Sequence, residues 1–466
     1  MSRQKKESGF WGFVQDFQGD KVIWMIVLVL IMVSILAISS STPLLAIQSK
    51  STRTAIINEQ FLISGLGLGI IAFCYSVIRK IGFLRVISQL GYGVSMFLLL
   101  CLAIRVKTPF FRASEINGAV RALTIFGFQL HVFEFVKIFM VMYLSWAIHV
   151  YHERWNDDGS SRNREKGFTL AELLSETKSF AWMGERKWQL FLYIFFPILS
   201  VSVLILLGSV SSTLFIGAIM LVTILIGGIR IRDMLIYGVV GIGLVAGCIG
   251  LYFVSGGKIF QRFGTAVGRI TLASEDPEEE LKKLPKGTAE FQEKLDQIRQ
   301  PISAKVAVSE GGIFGKGPGR STQRYVVPVM FEDYMFSFIV EEYGILGAIL
   351  VLILYGGLLA RGWILVRNSE NMFAKTAISG LVLLISGQAV MHMLINVDLF
   401  PLTGQTLPMI SHGNSSFLAF SLAFGIILSI SRMVKAKMDK IAAEVKPIVE
   451  KTDEIRESLN DLDQLD

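Results

Sequence analysis

Cysteine is scarce in this chain, which excludes several kinds of site. The 466 residues include three cysteines, and each lies inside an apolar block: Cys74, Cys101 and Cys248. This spacing fits neither a disulfide framework, nor a zinc cluster, nor a dithiol redox pair. Charged residues make up only 18%, and no basic patch is interleaved with aromatic residues, so we do not expect nucleic-acid binding. The first apolar block is long and lacks a clear cleavage site, so we expect an anchor and not a cleaved leader.

Apolar residues are abundant instead, at 52%, and they occur in long blocks. A bilayer core requires roughly 20 apolar residues per helix and leaves unpaired backbone groups without water. We therefore predict an all-α membrane protein with about ten transmembrane helices. The predicted spans are Val22–Ser40, Phe61–Ile78, Val86–Ile104, Val132–Val150, Leu190–Leu207, Leu214–Ile229, Met234–Val254, Phe336–Leu359, Ala377–Ile395 and Met409–Ile430.

Lysine and arginine in the short loops predict the orientation of the chain. They concentrate on the side that holds both termini, and residues 396–409 on the opposite side contain none. Because basic loops remain in the cytoplasm, we expect both termini inside a bacterial inner membrane. Residues 255–334, between helices 7 and 8, then form a large extracytoplasmic loop. The expected parts are a cytoplasmic segment (1–21), a transmembrane domain (22–433) and a charged cytoplasmic tail (434–466). The tail is either a helix that lies on a partner or on the protein itself, or a solvated segment.

Ionisable residues occur at membrane depth in three predicted spans: Arg121, Glu134 and Lys137 near the start of the fourth, Glu341 and Glu342 in the eighth, and His392 in the ninth. Charges in hydrocarbon are costly and normally face a protein interior or an aqueous cavity. Glu134 and Lys137 share a helix face at i, i+3, which fits a structural ion pair and a substrate site equally well. We expect His392 to be a hydrogen-bonded interior histidine and not a metal ligand.

The outer loop contains a glycine-rich turn at 315–321. It is not a Walker loop, because no Ser or Thr follows Lys316. Its backbone N–H groups, with Lys316, Arg320 and Arg324, would suit an anion such as pyrophosphate; a surface turn with solvated charges fits as well. The acidic run Glu275–Glu280 contains Asp276, and such a run is more often a solvated face than a catalytic carboxylate.

Four stretches of the chain carry a resemblance to a known family. Asn117–Arg121 followed by Glu134–Lys137 resembles the pattern NGAxRW…QPSExxK, and Gly311–Gly317 with Ser321, Gln323 and Arg324 resembles GGxxGxG…SxQ. Asp333–Phe336 with Glu341–Gly344 resembles DFIF…EExG, and Pro401–Ser416 resembles PxTGxxLPFxSYGGSS. In this order the stretches resemble the FtsW/RodA family of shape, elongation, division and sporulation proteins. The Gly-Lys-Gly-Pro-Gly form is closer to the FtsW branch.

The resemblance implies a peptidoglycan glycosyltransferase that polymerises lipid II at the outer membrane face during cell division. It also implies a class B penicillin-binding transpeptidase and other division proteins as partners, with membrane lipid around the chain. The family's catalytic aspartate corresponds to Asp276, ahead of Gln297 and Gln300. The implied substrate-binding residues are Arg121, Glu134, Lys137, Gln297, Gln300, Lys316, Ser321, Gln323, Arg324, Asp333, Glu342, Ser411, His412, Ser415 and Ser416. No cofactor is defined, although a divalent cation, Mg²⁺ or Mn²⁺, could assist.

The chain also departs from the family pattern. Ala122 replaces a tryptophan, His131-Val132-Phe133 replaces QPS, and His412 and Asn414 replace a tyrosine and a glycine. The stretch between Asp276 and Gln297 looks expanded, so Glu275, Glu278 or Glu279 are alternatives for the catalytic carboxylate. Two other functions remain open at this level: a lipid-linked sugar flippase and a non-catalytic scaffold for a transpeptidase.

Overall fold

The computed structural model of the chain describes residues 19–41, 43–48, 51–108, 111–116, 119–155, 175, 177–256, 264, 285–286, 288–327 and 330–463. Asp276 lies outside these residues. The helices are α1 (Lys21–Ser41), α2 (Pro43–Gln48), α3 (Arg53–Val77), α4 (Ile81–Ala103), α5 (Val132–Arg154), α6 (Arg186–Leu206), α7 (Val210–Ile226), α8 (Ile231–Val254), α9 (Ala289–Gly311), α10 (Met335–Arg367), α11 (Met372–Asn396) and α12 (Asn414–Asp463).

The helical membrane fold predicted from the sequence is confirmed. Within the described residues, nine helices are long and apolar enough to cross a membrane: α1, α3, α4, α5, α6, α8, α10, α11 and α12. The remaining predicted span, the sixth, corresponds to α7, which has 17 residues. At 1.5 Å per residue it rises about 26 Å, slightly less than a hydrocarbon core of roughly 30 Å.

Several helices begin or end some residues away from the predicted spans, and two of these differences have a clear local cause. The sixth span begins at Val210 and not at Leu214, because the Ser209 hydroxyl caps the helix by accepting the Ser212 N–H at 3.2 Å. The tenth begins at Asn414 and not at Met409. Met409 has a φ of +63°, and the His412 N–H donates to the Phe331 carbonyl at 2.8 Å. This stretch of backbone is therefore a turn bonded to the residues before α10 and not a helix.

A small antiparallel sheet precedes α5, and the sequence reading did not predict it. Its strands are β1 (Phe111–Ile116), β2 (Ala119–Ile125) and β3 (Phe128–His131), in that order across the sheet. Phe126 and Gly127, with φ of +48° and +86°, form the two-residue turn between β2 and β3, as right-handed strand twist favours. Arg121 therefore lies on β2 and not in the fourth span as expected.

The long polar loop contains an ordered helix, α9, which packs against α10. The Thr288 hydroxyl caps its start by accepting the Phe291 N–H at 3.2 Å, and Gly312 ends it with a φ of +55°. Lys305 on α9 pairs with Asp398 after α11 at 2.5 Å. The described C-terminal part of the loop is thus fixed to the ends of α10 and α11.

The core of the bundle is centred on α5. In this helix 83% of the residues in an apolar stretch of 18 are buried, against 6% in the corresponding stretch of α8. Helix α12 lies closely against α3 because small residues face large ones. A Cβ on Gly67 would lie 2.6 Å from the Phe417 ring, and one on Gly425 would lie 2.8 Å from the Cys74 Cβ. Small residues allow this approach in membrane bundles, where dispersion contacts drive association.

Candidate functional site

A buried ammonium group lies near the start of α5. Lys137 is 2% exposed, and its Nζ donates to Glu134 Oε1 at 2.7 Å, Gln388 Oε1 at 2.6 Å and Gln405 Oε1 at 3.1 Å. All three donor positions of the ammonium are used. A buried charge is tolerated where it is paired and hydrogen-bonded, and this one is held by α5, α11 and the loop before α12.

The two glutamines around Lys137 are themselves held in place. Gln388 Nε2 donates to the Thr406 carbonyl and Gln405 Nε2 to Ser212 Oγ on α7, both at 3.0 Å. The Gln405 carbonyl lies 2.8 Å from His392 Nδ1. His392 is fully buried within this network. These contacts fix the amide orientations, so the oxygens that face Lys137 are preorganised.

Arg121 lies on β2, next to Ala122, which pairs with His131 just before α5. Arg121 Nε donates to the Gly208 carbonyl, between α6 and α7, at 3.2 Å. His131 precedes α5, and burial lowers the pKa of its imidazole. The Glu134 carboxylate raises this pKa, whereas Arg121 and Lys137 lower it further. The sheet therefore brings a second cation to the end of α5 that carries Glu134 and Lys137.

The serine-rich segment 411–416 pins the loop between α11 and α12. Ser411 Oγ donates to the Glu332 carbonyl at 2.8 Å and accepts the Leu407 N–H at 2.9 Å. Ser415 Oγ accepts the His131 N–H at 2.8 Å, and Ser416 Oγ lies 2.9 Å from Thr406 Oγ1. The segment joins the residue before α5, the residues before α10 and the loop that carries Gln405.

A second cluster is built around the carboxylates of Glu341 and Glu342, which are both fully buried in the first turns of α10. Five hydrogen bonds reach Glu341, from Lys316 Nζ, Ser321 Oγ, the Thr322 N–H and Oγ1, and the Gln323 N–H. Glu342 Oε1 accepts Ser40 Oγ at 2.6 Å, the Gly319 N–H at 3.0 Å and the Ser321 N–H at 3.3 Å. The glycine-rich turn thus encloses side chains of its own protein.

Lys316 and Arg324 belong to this cluster. Lys316 Nζ donates to Glu310, to Thr322 Oγ1 at 2.8 Å and to Glu341 Oε1 at 2.7 Å. Arg324 Nη1 lies 3.8 Å from Glu342 Oε1 and donates to the Ser40 carbonyl at 2.9 Å. The structure gives both cations a structural role in holding the two carboxylates. Their assignment to a pyrophosphate stays a prediction.

Helix α10 is broken at Gly344, whose φ of +66° and ψ of −163° are not helical. This region is essentially restricted to glycine, and a Cβ here would lie 2.2 Å from the Ile313 carbonyl oxygen. The break lets the glycine-rich turn pack directly on the backbone of α10.

We expect Gly344→Ala to destabilise the protein by at least about 1–3 kcal/mol, because strained backbone alone costs that much. The midpoint of thermal unfolding in detergent measures this. Gly356→Ala on the same helix is the matched control, since nothing lies within 4 Å of its added Cβ. Equal midpoints for the two variants would contradict the role of the break.

The other described residues that the sequence predicts for the site lie outside the two clusters. The Asp333 carbonyl accepts Asn396 Nδ2 at 3.0 Å, next to the loop before α12. Gln300 is half-buried on α9, and the backbone of Gln297 belongs to the same helix. His412 donates its N–H to Phe331. Asp276 lies outside the described residues, so its assignment as the catalytic residue stays a prediction.

Sequence reasoning missed Gln388, Gln405 and Glu332. A glutamine inside an apolar span is itself a signal of a polar interior site, and Gln388 could have been found in this way. Glu332, just before α10, has a pKa raised to about 8 by burial and by the neighbouring charge of Asp333. A carboxyl group whose charged form is disfavoured therefore lies beside the 401–416 loop.

Within the described part of the chain, no three His, Cys, Asp or Glu side chains converge in a way that could hold a metal ion. A use of Mg²⁺ or Mn²⁺ therefore stays a prediction, and no step below depends on one.

Comparison with known proteins gives a consistent result. The family model for FtsW, RodA and SpoVE, described as "Cell cycle protein", matches residues 20–436. The chain is 34% identical over 190 residues to the probable peptidoglycan glycosyltransferase FtsW of Hahella chejuensis, which covers 39% of this chain and 48% of that protein. It is 26% identical over 437 residues to the protein of the same name from Enterococcus hirae, covering 91% and 96%. The chain thus spans about half the length of the first relative and nearly all of the second.

A solved structure described as a peptidoglycan synthase complex that coordinates polymerization and crosslinking contains a chain of the same fold. Its TM-score is 0.59 at 21% identity, covering 89% of this chain and 98% of that one. The family match, the helical fold and the four motif stretches agree over the same region. The chain therefore belongs to the FtsW/RodA/SpoVE family of cell cycle proteins.

Proposed function

We propose that this protein is a peptidoglycan glycosyltransferase that polymerises lipid II into glycan strands. The observation that carries the proposal is the preorganised ammonium of Lys137, which is buried with Glu134 at the end of α5 that adjoins the sheet with Arg121. Fixed cations in a site with little water stabilise developing negative charge most strongly. The leaving lipid pyrophosphate develops such charge. Relatives that carry the name peptidoglycan glycosyltransferase support the same reaction.

The hydrogen-bonding state of Glu134 also supports a substrate at this position. Its Oε1 accepts Lys137, while its Oε2 is buried and has no hydrogen-bond partner among the described residues. Thr403 Oγ1, in the loop before α12, is in the same state. Buried polar atoms are normally paired. We therefore propose that these two oxygens accept hydrogen bonds from hydroxyl or amide groups of the bound sugar.

In the proposed reaction a sugar hydroxyl of one substrate attacks the anomeric carbon of the other. The new carbon–oxygen bond forms as the bond to the lipid pyrophosphate breaks, and the hydroxyl proton passes to a carboxylate base. We assign Asp276 as that base, which follows the family pattern. A positioned base contributes roughly 10²–10⁴-fold to such a step.

We further propose that the site faces the outside of the bacterial inner membrane and that both termini are cytoplasmic. Ten crossings place both ends on one side, and the basic loops predict that this side is the cytoplasm. A class B penicillin-binding transpeptidase is the proposed partner, supported by the fold shared with a chain of a peptidoglycan synthase complex. Other division proteins are proposed as further partners.

The test is polymerisation of labelled lipid II by the purified protein in detergent, with and without its transpeptidase. We expect glycan strands from the wild type and a loss of about 10²–10⁴-fold for Asp276→Ala. Detergent micelles have no leaflets, so polymer formation cannot result from flipping. If the wild type makes no polymer under either condition, the proposal fails; if Asp276→Ala retains full activity, the base is another residue, and Glu275, Glu278 and Glu279 are tested next.

A further inference from the structure

The opposite end of the bundle carries a basic groove that plays no part in the proposed reaction. It has a volume of about 700 Å³ and lies between the α3–α4 turn and the middle of α12. Five of its eight lining residues are cationic. The lining residues are Arg79, Lys80, Ile81, Arg432, Met433, Ala436, Lys437 and Lys440. We call this feature the basic groove. Its volume lies within the range of ligand pockets, about 300–1,000 Å³.

One cation at the base of the groove is held rigidly. Arg432 Nη2 donates to the Ile78 carbonyl at 2.9 Å, and its guanidinium lies 4.6 Å from the centre of the Tyr75 ring. These contacts fix the guanidinium plane, so little side-chain entropy remains to be lost when an anion binds. The groove is therefore more than a set of mobile surface charges.

Three of the other four cations form no salt bridge with a described residue. Among the described residues, Lys437 pairs with Glu370, whereas no carboxylate pairs with Arg79, Lys80, Arg432 or Lys440. Uncompensated like charges repel one another, and an external anion relieves that repulsion. Charge complementarity thus favours an anionic occupant.

The groove lies where the apolar parts of its helices end. Helix α3 ends at Val77 and α4 begins at Ile81, and beyond the buried Val434 the side chains of residues 435–444 on α12 are exposed. This level corresponds to the lipid headgroups. The apolar side chains of Ile81, Met433 and Ala436 lie among the cations, and they offer a surface to the first carbons of an acyl chain.

We propose that the basic groove binds the headgroup of an anionic phospholipid. Its phosphate contacts the fixed guanidinium of Arg432 and the lysines of α12, and its acyl chains run along α3 and α4. Basic pockets between helices on the cytoplasmic side bind such headgroups in other membrane proteins. An acidic protein segment is the competing occupant, but it would leave the apolar side chains among the cations without a partner.

The experiment counts lipids bound to the delipidated full-length protein by native mass spectrometry, during titration with phosphatidylglycerol or phosphatidylethanolamine. The groove variant combines Arg79→Gln, Lys80→Gln and Lys440→Gln, which change exposed side chains. The matched control combines Lys187→Gln, Arg232→Gln and Arg367→Gln, three exposed cations at the same end of the bundle but outside the groove. Arg432→Gln, made alone, tests the fixed guanidinium.

We expect preferential binding of phosphatidylglycerol by the wild type and the control, and an affinity about tenfold or more weaker in the groove variant. Soluble glycerol phosphate at the same concentration should not displace the lipid. The proposal is overturned if the groove variant binds like the wild type, or if the control loses affinity equally, which would indicate general surface attraction. Full displacement by glycerol phosphate would assign the groove to a free anion instead, and displacement of the lipid by added poly-glutamate at the same concentration would assign it to an acidic protein segment.

Discussion

Replacing Lys137 with methionine should reduce lipid II polymerisation by about 10²–10³-fold, the effect of removing one preorganised group that stabilises transition-state charge. The change keeps the length of the side chain and removes the ammonium that Glu134, Gln388 and Gln405 hold. If Lys137 acts on the leaving pyrophosphate, the loss appears mainly in kcat. Measured kcat and KM for labelled lipid II separate this effect from weaker substrate binding.

A structural explanation must be excluded, because Lys137→Met leaves the Glu134 carboxylate buried without its partner. Breaking a buried pair on one side costs about 3–5 kcal/mol, whereas removing both charges is often neutral. The double variant Glu134→Gln/Lys137→Met should therefore fold like the wild type and remain inactive. Lys305→Met, which removes an exposed cation paired with Asp398, is the control for charge. Recovery of activity in the double variant would show that the pair is only structural.

Replacing Glu341 with alanine should give a large loss of stability. The carboxylate accepts five hydrogen bonds from residues 316–323, and its loss leaves the Lys316 ammonium without its buried partner. The loss of one member of a buried pair costs about 3–5 kcal/mol. We expect a lower midpoint of thermal unfolding and faster proteolysis of the glycine-rich turn in the folded protein.

Two control substitutions separate the causes of this loss. Glu310→Gln removes the more exposed carboxylate that contacts Lys316, and exposed pairs contribute only about 0–1 kcal/mol, so its midpoint should stay near that of the wild type. Glu341→Gln keeps an acceptor oxygen but removes the charge, and its midpoint should fall between those of the wild type and Glu341→Ala. An unchanged midpoint for Glu341→Ala would refute the structural role of the cluster.

The two clusters suggest a division of roles among the motif residues. Glu341 and Lys316 are fully hydrogen-bonded and hold the glycine-rich turn, whereas Glu342 Oε2 and Arg324 Nε are buried without a partner among the described residues. Lys137 is also fully hydrogen-bonded, and its partner Glu134 likewise retains a buried oxygen without a partner among the described residues. The cations of the motif that looks most like an anion site in the sequence thus bind carboxylates of their own protein. The candidate for substrate binding is the cluster on α5, to which the sheet adds Arg121.

Local sequence signals predicted the helices well and the irregular segments poorly. Apolar blocks are a strong signal because a bilayer imposes length and composition on each helix. The start of α12 was missed because the apolar residues of 407–410 also suit a buried turn. The sheet was missed because its strands are short, and α9 because it is polar and lies in a loop whose length suggested irregular structure.

The sequence by itself determined the membrane class, the helical segments, the family and the i, i+3 pairing of Glu134 with Lys137, since each depends on composition or on spacing along one element. Only the tertiary structure decided what surrounds those charges. Gln388 and Gln405 lie 251 and 268 positions from Lys137, and Ser40 lies 302 positions from Glu342. Such contacts depend on how helices pack across the bundle, and the periodicity of a single helix carries no information about its distant neighbours.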